Sequence, residues 1–144
     1  MSDKICYRKL KNYKYQTKED YSFSVGIKPK EKIDTLFIVL DTDGKLTIKR
    51  LYSWDGPSGP TIDTPNFMRG SLVHDALYQL LRGGYFDENH EEIRKAADQL
   101  IKKMCLEDGM SKFRAWYVYL GVHCFAKKAA KSTSKPPEVW VCAP

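Results

Sequence analysis

The sequence predicts an α+β fold, with an N-terminal antiparallel β-hairpin or sheet packed against about three C-terminal helices. Period-two alternation is confined to the first part of the chain, and helical periodicity is confined to the later part. Strands that precede the helices, and do not alternate with them, favour this class over a parallel sheet. The 144 residues suit one packed core, so we expect a single domain over residues 1–130 and an extended or loosely docked tail over residues 131–144.

The strand signals come first along the chain. Residues 5–27 alternate apolar and polar side chains in short stretches, which predicts edge or half-buried strands. Ile33–Leu40 is rich in β-branched and aromatic residues and predicts a further strand. Asp41–Gly44 separates it from the apolar-rich run Leu46–Tyr52. An Asp-Gly turn between two such runs predicts a β-hairpin, with positive φ at its glycine.

Helices are predicted after a segment rich in helix breakers. Residues 53–66 contain two glycines and three prolines, so we expect an irregular loop there. Apolar spacing predicts helices over Phe67–Leu81, over Glu91–Cys105 with Asn89 as its cap, and from a Ser111 cap to about Lys128. The large apolar residues of the third helix share one side: Phe113, Trp116, Tyr117, Leu120, Cys124 and Phe125.

Charge and composition limit the function classes. The net charge is +6, with the excess at Lys4–Lys18, Lys28–Lys32 and Lys127–Lys135, which predicts weak affinity for anionic surfaces. Sequence-specific nucleic-acid binding is disfavoured, because no element strongly interleaves arginine with aromatic residues. The longest apolar run, Leu36–Leu40, is too short to span a membrane, and no signal-peptide pattern is present, so we expect a cytoplasmic protein. The four cysteines lie far apart and predict free thiols.

One histidine and its neighbours form the strongest candidate site. His74 and Tyr78 share a face of the first predicted helix, and Asp98 lies inside the apolar stripe of the second. A buried carboxylate is costly unless it is paired, so we expect Asp98 to bond to His74 on an antiparallel neighbour. Such a pair orients a general base, but it also serves as a structural clamp. Catalysis, a structural hydrogen-bond network and a binding role all remain open.

A metal site is predicted beside this pair. Asp75 points about 100° away from its neighbour His74, towards the breaker-rich loop. Its carboxylate and the backbone carbonyls of residues 54–59 are hard oxygen ligands, which suit Ca²⁺ or Mg²⁺ better than zinc. Trp54 can alternatively serve as a hydrophobic plug over the helices.

Residues 53–125 resemble an uncharacterised domain family of bacteriophages and prophages. The resemblance rests on a loop, two short motifs and an aromatic helix: Asp55-Gly56-Pro57-Ser58-Gly59-Pro60, His74-Asp75-Ala76-Leu77-Tyr78, Arg94-Lys95-Ala96-Ala97-Asp98 with Met104, and Trp116-Tyr117 to Gly121. It implies a viral origin and, through it, a location in the host cytoplasm. It implies no activity, because the function of that family is not established.

The order of a Gly-rich loop followed by His-Asp-x-x-Tyr is also similar to the phospholipase A2 superfamily. This resemblance implies a Ca²⁺ site made of the carbonyls of Trp54, Gly56 and Ser58 and the carboxylate of Asp75. It further implies His74 as the base that activates water, Asp98 as the acid that orients it and Tyr78 as a supporting hydrogen-bond partner.

Two functions from different classes follow from these observations. The first is a phage-encoded, metal-assisted hydrolase that uses the His74–Asp98 pair. The second is a non-enzymatic viral protein, such as an anti-defence inhibitor, that binds a host or virion component. Its contact surface would be the basic, tyrosine-rich N-terminal segment that contains Lys9, Lys11 and Lys14.

Overall fold

A computed structural model describes residues 4–10, 15–54 and 65–125, without the side chains of Cys124 and Phe125. Within these residues, seven short strands precede three α-helices, and a single 3-10 turn lies between the first two helices. The predicted α+β class is confirmed. The predicted tail and most of the predicted loop lie outside the described residues.

The strands form two antiparallel sheets. In chain order the strands are β1 (Tyr7–Lys9), β2 (Tyr15–Thr17), β3 (Tyr21–Ser24), β4 (Ile33–Asp34), β5 (Ile38–Leu40), β6 (Lys45–Ile48) and β7 (Ser53–Trp54). One sheet has the order β1-β2-β7 and the other has the order β3-β6-β5-β4. The predicted hairpin is the β5–β6 pair, in which Leu40 lies opposite Leu46. Gly44 has the expected positive φ, at 92°, and its N–H donates to the carbonyl of Asp41 over 3.0 Å.

The single strand predicted over Ile33–Leu40 is wrong. A turn divides this run into β4 and β5, which pair with each other. Thr35 explains the turn, because its hydroxyl accepts a hydrogen bond from the Ile38 N–H over 3.0 Å while its own N–H donates to the Ile38 carbonyl. Leu36, at the tip of the turn, is exposed.

The helices are α1 (Pro65–Arg82), α2 (His90–Glu107) and α3 (Lys112–Phe125). Ser111 caps α3 as predicted, since its hydroxyl accepts from the Arg114 N–H over 3.2 Å. Asn89 occupies the N-cap position of α2 as predicted, but it also ends a 3-10 turn and its side chain makes no capping hydrogen bond. Among the described residues, no helix is both long enough and apolar enough to cross a membrane.

The core packs both sheets against α1 and α2, and a second cluster joins α3 to these helices. Gly70 permits a close approach of α1 to α2, because a Cβ atom there would lie 3.1 Å from the Ile101 side chain and 3.3 Å from the Cys105 sulfur. One helical turn further along α1 is His74, and Asp98 lies one turn back along antiparallel α2. The close contact at Gly70 therefore determines how near His74 and Asp98 lie to each other.

Candidate functional site

The three residues predicted to be catalytic meet between α1 and α2. His74 Nε2 lies 2.8 Å from Asp98 Oδ1, and the Tyr78 hydroxyl donates to the same oxygen over 2.5 Å. Asp98 has no exposed surface, and both of its partners are buried. The predicted contact between a histidine on one helix and a carboxylate on the next is present.

Arg94 completes the set around Asp98. Its Nη1 donates to Asp98 Oδ2 over 3.1 Å, and its Nη2 donates to Glu91 Oε2 over 3.0 Å. The hydrogen bond with Glu91, together with the charges of both carboxylates, raises the pKa of the buried Arg94 guanidinium further above its usual range. A buried carboxylate needs such a cation, because an unpaired charge in the interior is very costly.

Sequence reasoning missed this ion pair. Arg94 lies four residues before Asp98, a spacing at which opposite charges meet on a helix, and this was the available signal. His74, Tyr78, Arg94 and Asp98 are called the Asp98 cluster below.

The Asp98 cluster fixes the tautomer of His74. A carboxylate has no proton to share, so the proton between His74 and Asp98 belongs to Nε2, and the lone pair of the neutral ring lies on Nδ1. Among the described residues, no hydrogen bond to Nδ1 is present, and 6% of the His74 side chain is exposed. The ring can therefore accept a proton at Nδ1, and Asp98 would stabilise the resulting cation.

Tyr78 acts in this cluster as a fixed donor. Burial, followed by the hydrogen bond and charge of Asp98, raises the pKa of the Tyr78 hydroxyl far above its usual value. The hydroxyl therefore keeps its proton and holds Asp98 Oδ1 in place. The Tyr78 ring also lies against His74, with the ring centroids 4.1 Å apart.

His123 reaches the cluster from α3. Its Nδ1 lies 3.5 Å from Asp98 Oδ2, is enclosed by the protein and makes no hydrogen bond. The rest of the ring is partly exposed and stacks on Tyr119. Sequence reasoning missed His123, because the acid that it faces lies on the preceding helix and no acid lies near it along the chain.

The predicted metal ligands are described only in part. Asp75 is partly buried on α1, next to His74. The Trp54 indole is buried and donates to the Ser71 hydroxyl on α1 over 3.1 Å, as expected for a plug over the helices. Gly56 and Ser58 lie outside the described residues. Within the part of the chain that the structure describes, no three His, Cys, Asp or Glu side chains converge as metal ligands.

The predicted N-terminal contact residues are likewise described in part. Lys9 lies on β1, an exposed strand at one edge of the three-stranded sheet, opposite Tyr15 of β2. Lys11 and Lys14 lie outside the described residues.

Comparison with known families identifies the class of domain. A family model described as "Protein of unknown function (DUF1353)" matches residues 34–122, which is more than half of the chain. The chain belongs to the DUF1353 family. The match includes α1, α2 and the whole Asp98 cluster, and it ends one residue before His123. No curated protein and no solved structure matches the chain.

Proposed function

We propose that this DUF1353 protein is a hydrolase in which His74 is the general base. The observation that carries the proposal is the contact between His74 Nε2 and Asp98, because it leaves the lone pair of the imidazole on Nδ1. The shared arrangement of His74, Tyr78 and Asp98 also supports it, since the resemblance to phospholipase A2 implies these residues in these roles. The resemblance to phage and prophage domains supports the further proposal that the protein is phage-encoded.

The proposed reaction is water attack on an ester carbonyl. His74 Nδ1 takes a proton from water while the water oxygen bonds to the carbonyl carbon. The tetrahedral intermediate then expels the alcohol oxygen, which receives that proton from Nδ1. Asp98 stabilises the imidazolium formed between these steps, and Tyr78 keeps the carboxylate in position. Both are positioning residues, since Asp98 contacts His74 and the Tyr78 hydroxyl bonds to Asp98.

The metal part of the proposal concerns Asp75 and the carbonyls of Trp54, Gly56 and Ser58. They are oxygen donors of the kind that Ca²⁺ and Mg²⁺ prefer. A bound cation would supply Lewis-acid stabilisation of the oxyanion. His74 transfers the proton whether or not a cation is bound, so the base and the metal site are tested by separate experiments.

Hydrolysis assays with a matched pair of histidine variants test the base. We expect the wild type to release acid from acyl esters or glycerophospholipids, and His74→Gln to reduce kcat by about 10²–10⁴-fold. His90→Gln is the control, because His90 lies at the start of α2, outside the Asp98 cluster. If the two variants keep equal activity, or if the wild type hydrolyses no ester in a broad panel, His74 is not the base of a hydrolase.

The positioning roles are tested by separating kcat from KM. Tyr78→Phe removes the hydroxyl that holds Asp98 without altering the surface, so we expect kcat to fall and KM to stay constant. Tyr52→Phe is a control, because that hydroxyl bonds to Gln79 over 2.9 Å, away from Asp98. A loss of stability without a change in kcat would identify the cluster as a structural clamp.

Metal binding is measured through thermal stability. Ca²⁺ or Mg²⁺ at about 100 times its Kd should add about 2.7 kcal/mol to the free energy of unfolding. We expect Asp75→Asn to abolish the rise in Tm, and Asp34→Asn, an exposed change on β4, to retain it. If neither cation raises the Tm of the wild type, the proposed metal site is wrong. The role of His74 as the base is then decided by the hydrolysis assay alone.

The exposed edge of β1 favours a second candidate function. All three residues of β1 are exposed, and among the described strands β1 pairs with β2 alone. An edge strand with free backbone groups and a lysine suits a protein partner, in line with the predicted binding of a host or virion component. Charge reversal at Lys9, Lys11 and Lys14 should then abolish partner binding, while His74→Gln should not. The opposite pattern would contradict the binding function.

A further inference from the structure

Helix α3 exposes large aromatic side chains on the side that faces away from α2. Phe113, Trp116 and Tyr117 are 76%, 48% and 44% exposed, respectively. Ala115 and Val118, on the opposite side of the same helix, are buried against the second core cluster. The helix therefore packs through its smaller apolar residues and presents its largest ones to the outside.

The three aromatic residues form one continuous surface. They occupy positions i, i+3 and i+4 of a helix, which lie on one face. The rings of Phe113 and Trp116 are in contact, with centroids 6.3 Å apart. We call Phe113, Trp116 and Tyr117 the aromatic face. Exposed apolar patches of this kind mark binding surfaces more often than isolated exposed residues do.

The stretch of sequence that contains the aromatic face carries charge of a single sign. Residues 109–135 contain five lysines and one arginine and no aspartate or glutamate, a formal charge of +6 that equals the net charge of the whole protein. Lys112, directly before Phe113, is exposed on α3. This stretch is complementary to a strongly anionic partner.

We propose that the aromatic face of α3 binds the surface of an anionic lipid membrane. Tryptophan and tyrosine favour the boundary between headgroups and acyl chains, because their rings are apolar and their N–H and O–H groups remain solvated. Lys112, which directly precedes Phe113, adds attraction to anionic headgroups, and the strength of such binding rises with both buried apolar area and positive charge. The face is a convex helix surface and not a groove, which disfavours a nucleic-acid strand as the ligand.

This proposal goes beyond the proposed hydrolase and does not depend on it, since the aromatic face and the Asp98 cluster share no residue. Helix α3 would bind a membrane whether or not His74 is a base. An experiment that contradicts one proposal therefore leaves the other unaffected.

Flotation of the full chain with lipid vesicles tests the proposal. We expect binding to phosphatidylcholine vesicles that contain about a third phosphatidylglycerol, and at least tenfold weaker binding to phosphatidylcholine alone. Raising the salt from about 0.1 M to about 0.5 M should weaken binding, because screening shortens the range of the lysine charges. Brominated lipids should quench the fluorescence of Trp116 in the bound wild type, and Trp116→Phe should lose that component.

Variants with matched controls assign the binding to this face. Phe113→Ser/Trp116→Ser/Tyr117→Ser should bind at least tenfold more weakly, while Tyr85→Ser, which changes another exposed aromatic residue, should bind normally. Lys112→Glu should weaken binding by at least fivefold, the effect of one basic residue near an anionic surface, and Lys45→Glu on β6 should not. Circular dichroism checks that each variant is folded, and quenching of the intact wild type decides the result if the triple variant unfolds.

Three results would overturn the proposal. The first is an absence of vesicle binding, or equal binding by the wild type and the folded triple variant. The second is a concentration-dependent dimer that the triple variant abolishes, without vesicle binding, since a second copy would then cover the face. The third is binding to a single-stranded oligonucleotide or to a protein in the absence of any affinity for vesicles.

Discussion

Two ionic clusters join α1 to α2, and they differ in the charge at their centre. In the first, the buried guanidinium of Arg69 donates two hydrogen bonds of 2.9 Å to Asp108 and one of 3.2 Å to Glu107. It also donates to the Tyr21 hydroxyl, which ties β3 to both helices. Both of its carboxylates retain exposed surface. The hydrogen bonds of Arg69 thus serve to hold α1, the end of α2 and β3 together.

The Asp98 cluster has the acid at its centre, and that acid has no exposed surface. One cation, Arg94, would neutralise Asp98, yet His74 and Tyr78 also donate to it. The His74 imidazole is therefore not needed to balance the charge of Asp98. The Arg69 cluster has contacts that only hold the fold, whereas in the proposed hydrolase the Asp98 cluster also orients the base. The predictions below test this difference.

The largest expected effect is the loss of Asp98. Asp98→Ala leaves the buried Arg94 without its partner on that side, and we expect the free energy of unfolding to fall by about 3–5 kcal/mol. Asp108→Ala should cost only about 1–3 kcal/mol, because Arg69 keeps Glu107 and because Asp108, unlike Asp98, is partly exposed. Urea denaturation at neutral pH measures both. Equal losses would remove the distinction between the two clusters.

The Tyr78 hydroxyl should contribute more than that of an ordinary buried tyrosine. Tyr78→Phe removes a hydrogen bond to a charged group, and we expect a loss of about 1.5–3 kcal/mol. Tyr52→Phe removes a neutral bond to Gln79 and should cost about 0.5–1.5 kcal/mol. Thermal or urea unfolding of the two variants gives the comparison, and a larger loss in Tyr52→Phe would contradict it.

Alkaline pH should destabilise the region next to the Arg69 cluster. Burial raises the pKa of the Cys105 thiol from 9.0 to about 12, so the folded state keeps a proton that the unfolded chain loses. Stability is therefore full below pH 9 and falls as the pH rises towards 12, by about 1.4 kcal/mol per pH unit from this group. Tyr78 acts in the same direction, but only above about pH 10, where an unfolded tyrosine ionises.

Urea unfolding between about pH 9 and pH 10 measures this slope. Cys105→Ala should reduce it strongly, and Cys6→Ala should reduce it less, because the pKa of the exposed Cys6 thiol is raised mainly through its hydrogen bond and charge contact with Glu19 and not by deep burial. An unchanged slope in Cys105→Ala would show that the thiol is not the group responsible.

The smallest expected effect is at His123. Its Nδ1 makes no hydrogen bond and the ring is partly exposed, so His123→Ala should change the free energy of unfolding by less than about 0.5 kcal/mol at neutral pH. Urea denaturation next to the wild type checks this value. A loss above about 1 kcal/mol would place His123 among the residues that stabilise the Asp98 cluster.

Much of this architecture was predictable from local sequence. The Asp-Gly turn determined the β5–β6 hairpin, because a positive φ at Gly44 is a property of a few consecutive residues. The Ser111 cap and the α+β class were likewise predictable, because capping residues and the periodicity of strands and helices are properties of short stretches of sequence. The contact of His74 with Asp98 was predictable because a carboxylate in an apolar helical stripe requires a partner.

The errors arose where a local signal competed with contacts elsewhere. Ile33–Leu40 has the composition of one strand, but the side chain of Thr35 stabilises a turn within it. Asn89 lies at the predicted cap position, but it also ends the 3-10 turn before α2, and its side chain makes no capping hydrogen bond. Neither alternative can be recognised from residue type alone.

The sequence by itself determined the class of the fold, the faces of its helices and the pairing of one buried acid with one histidine. Only the tertiary structure decided that His123 also converges on Asp98, and that the aromatic side of α3 faces outward. The reason is that periodicity shows which residues share a face of a helix. Which element a face packs against depends on how closely the two surfaces fit together. Here Ala115 and Val118 form the side of α3 that packs into the second core cluster, and the larger rings lie on the other side.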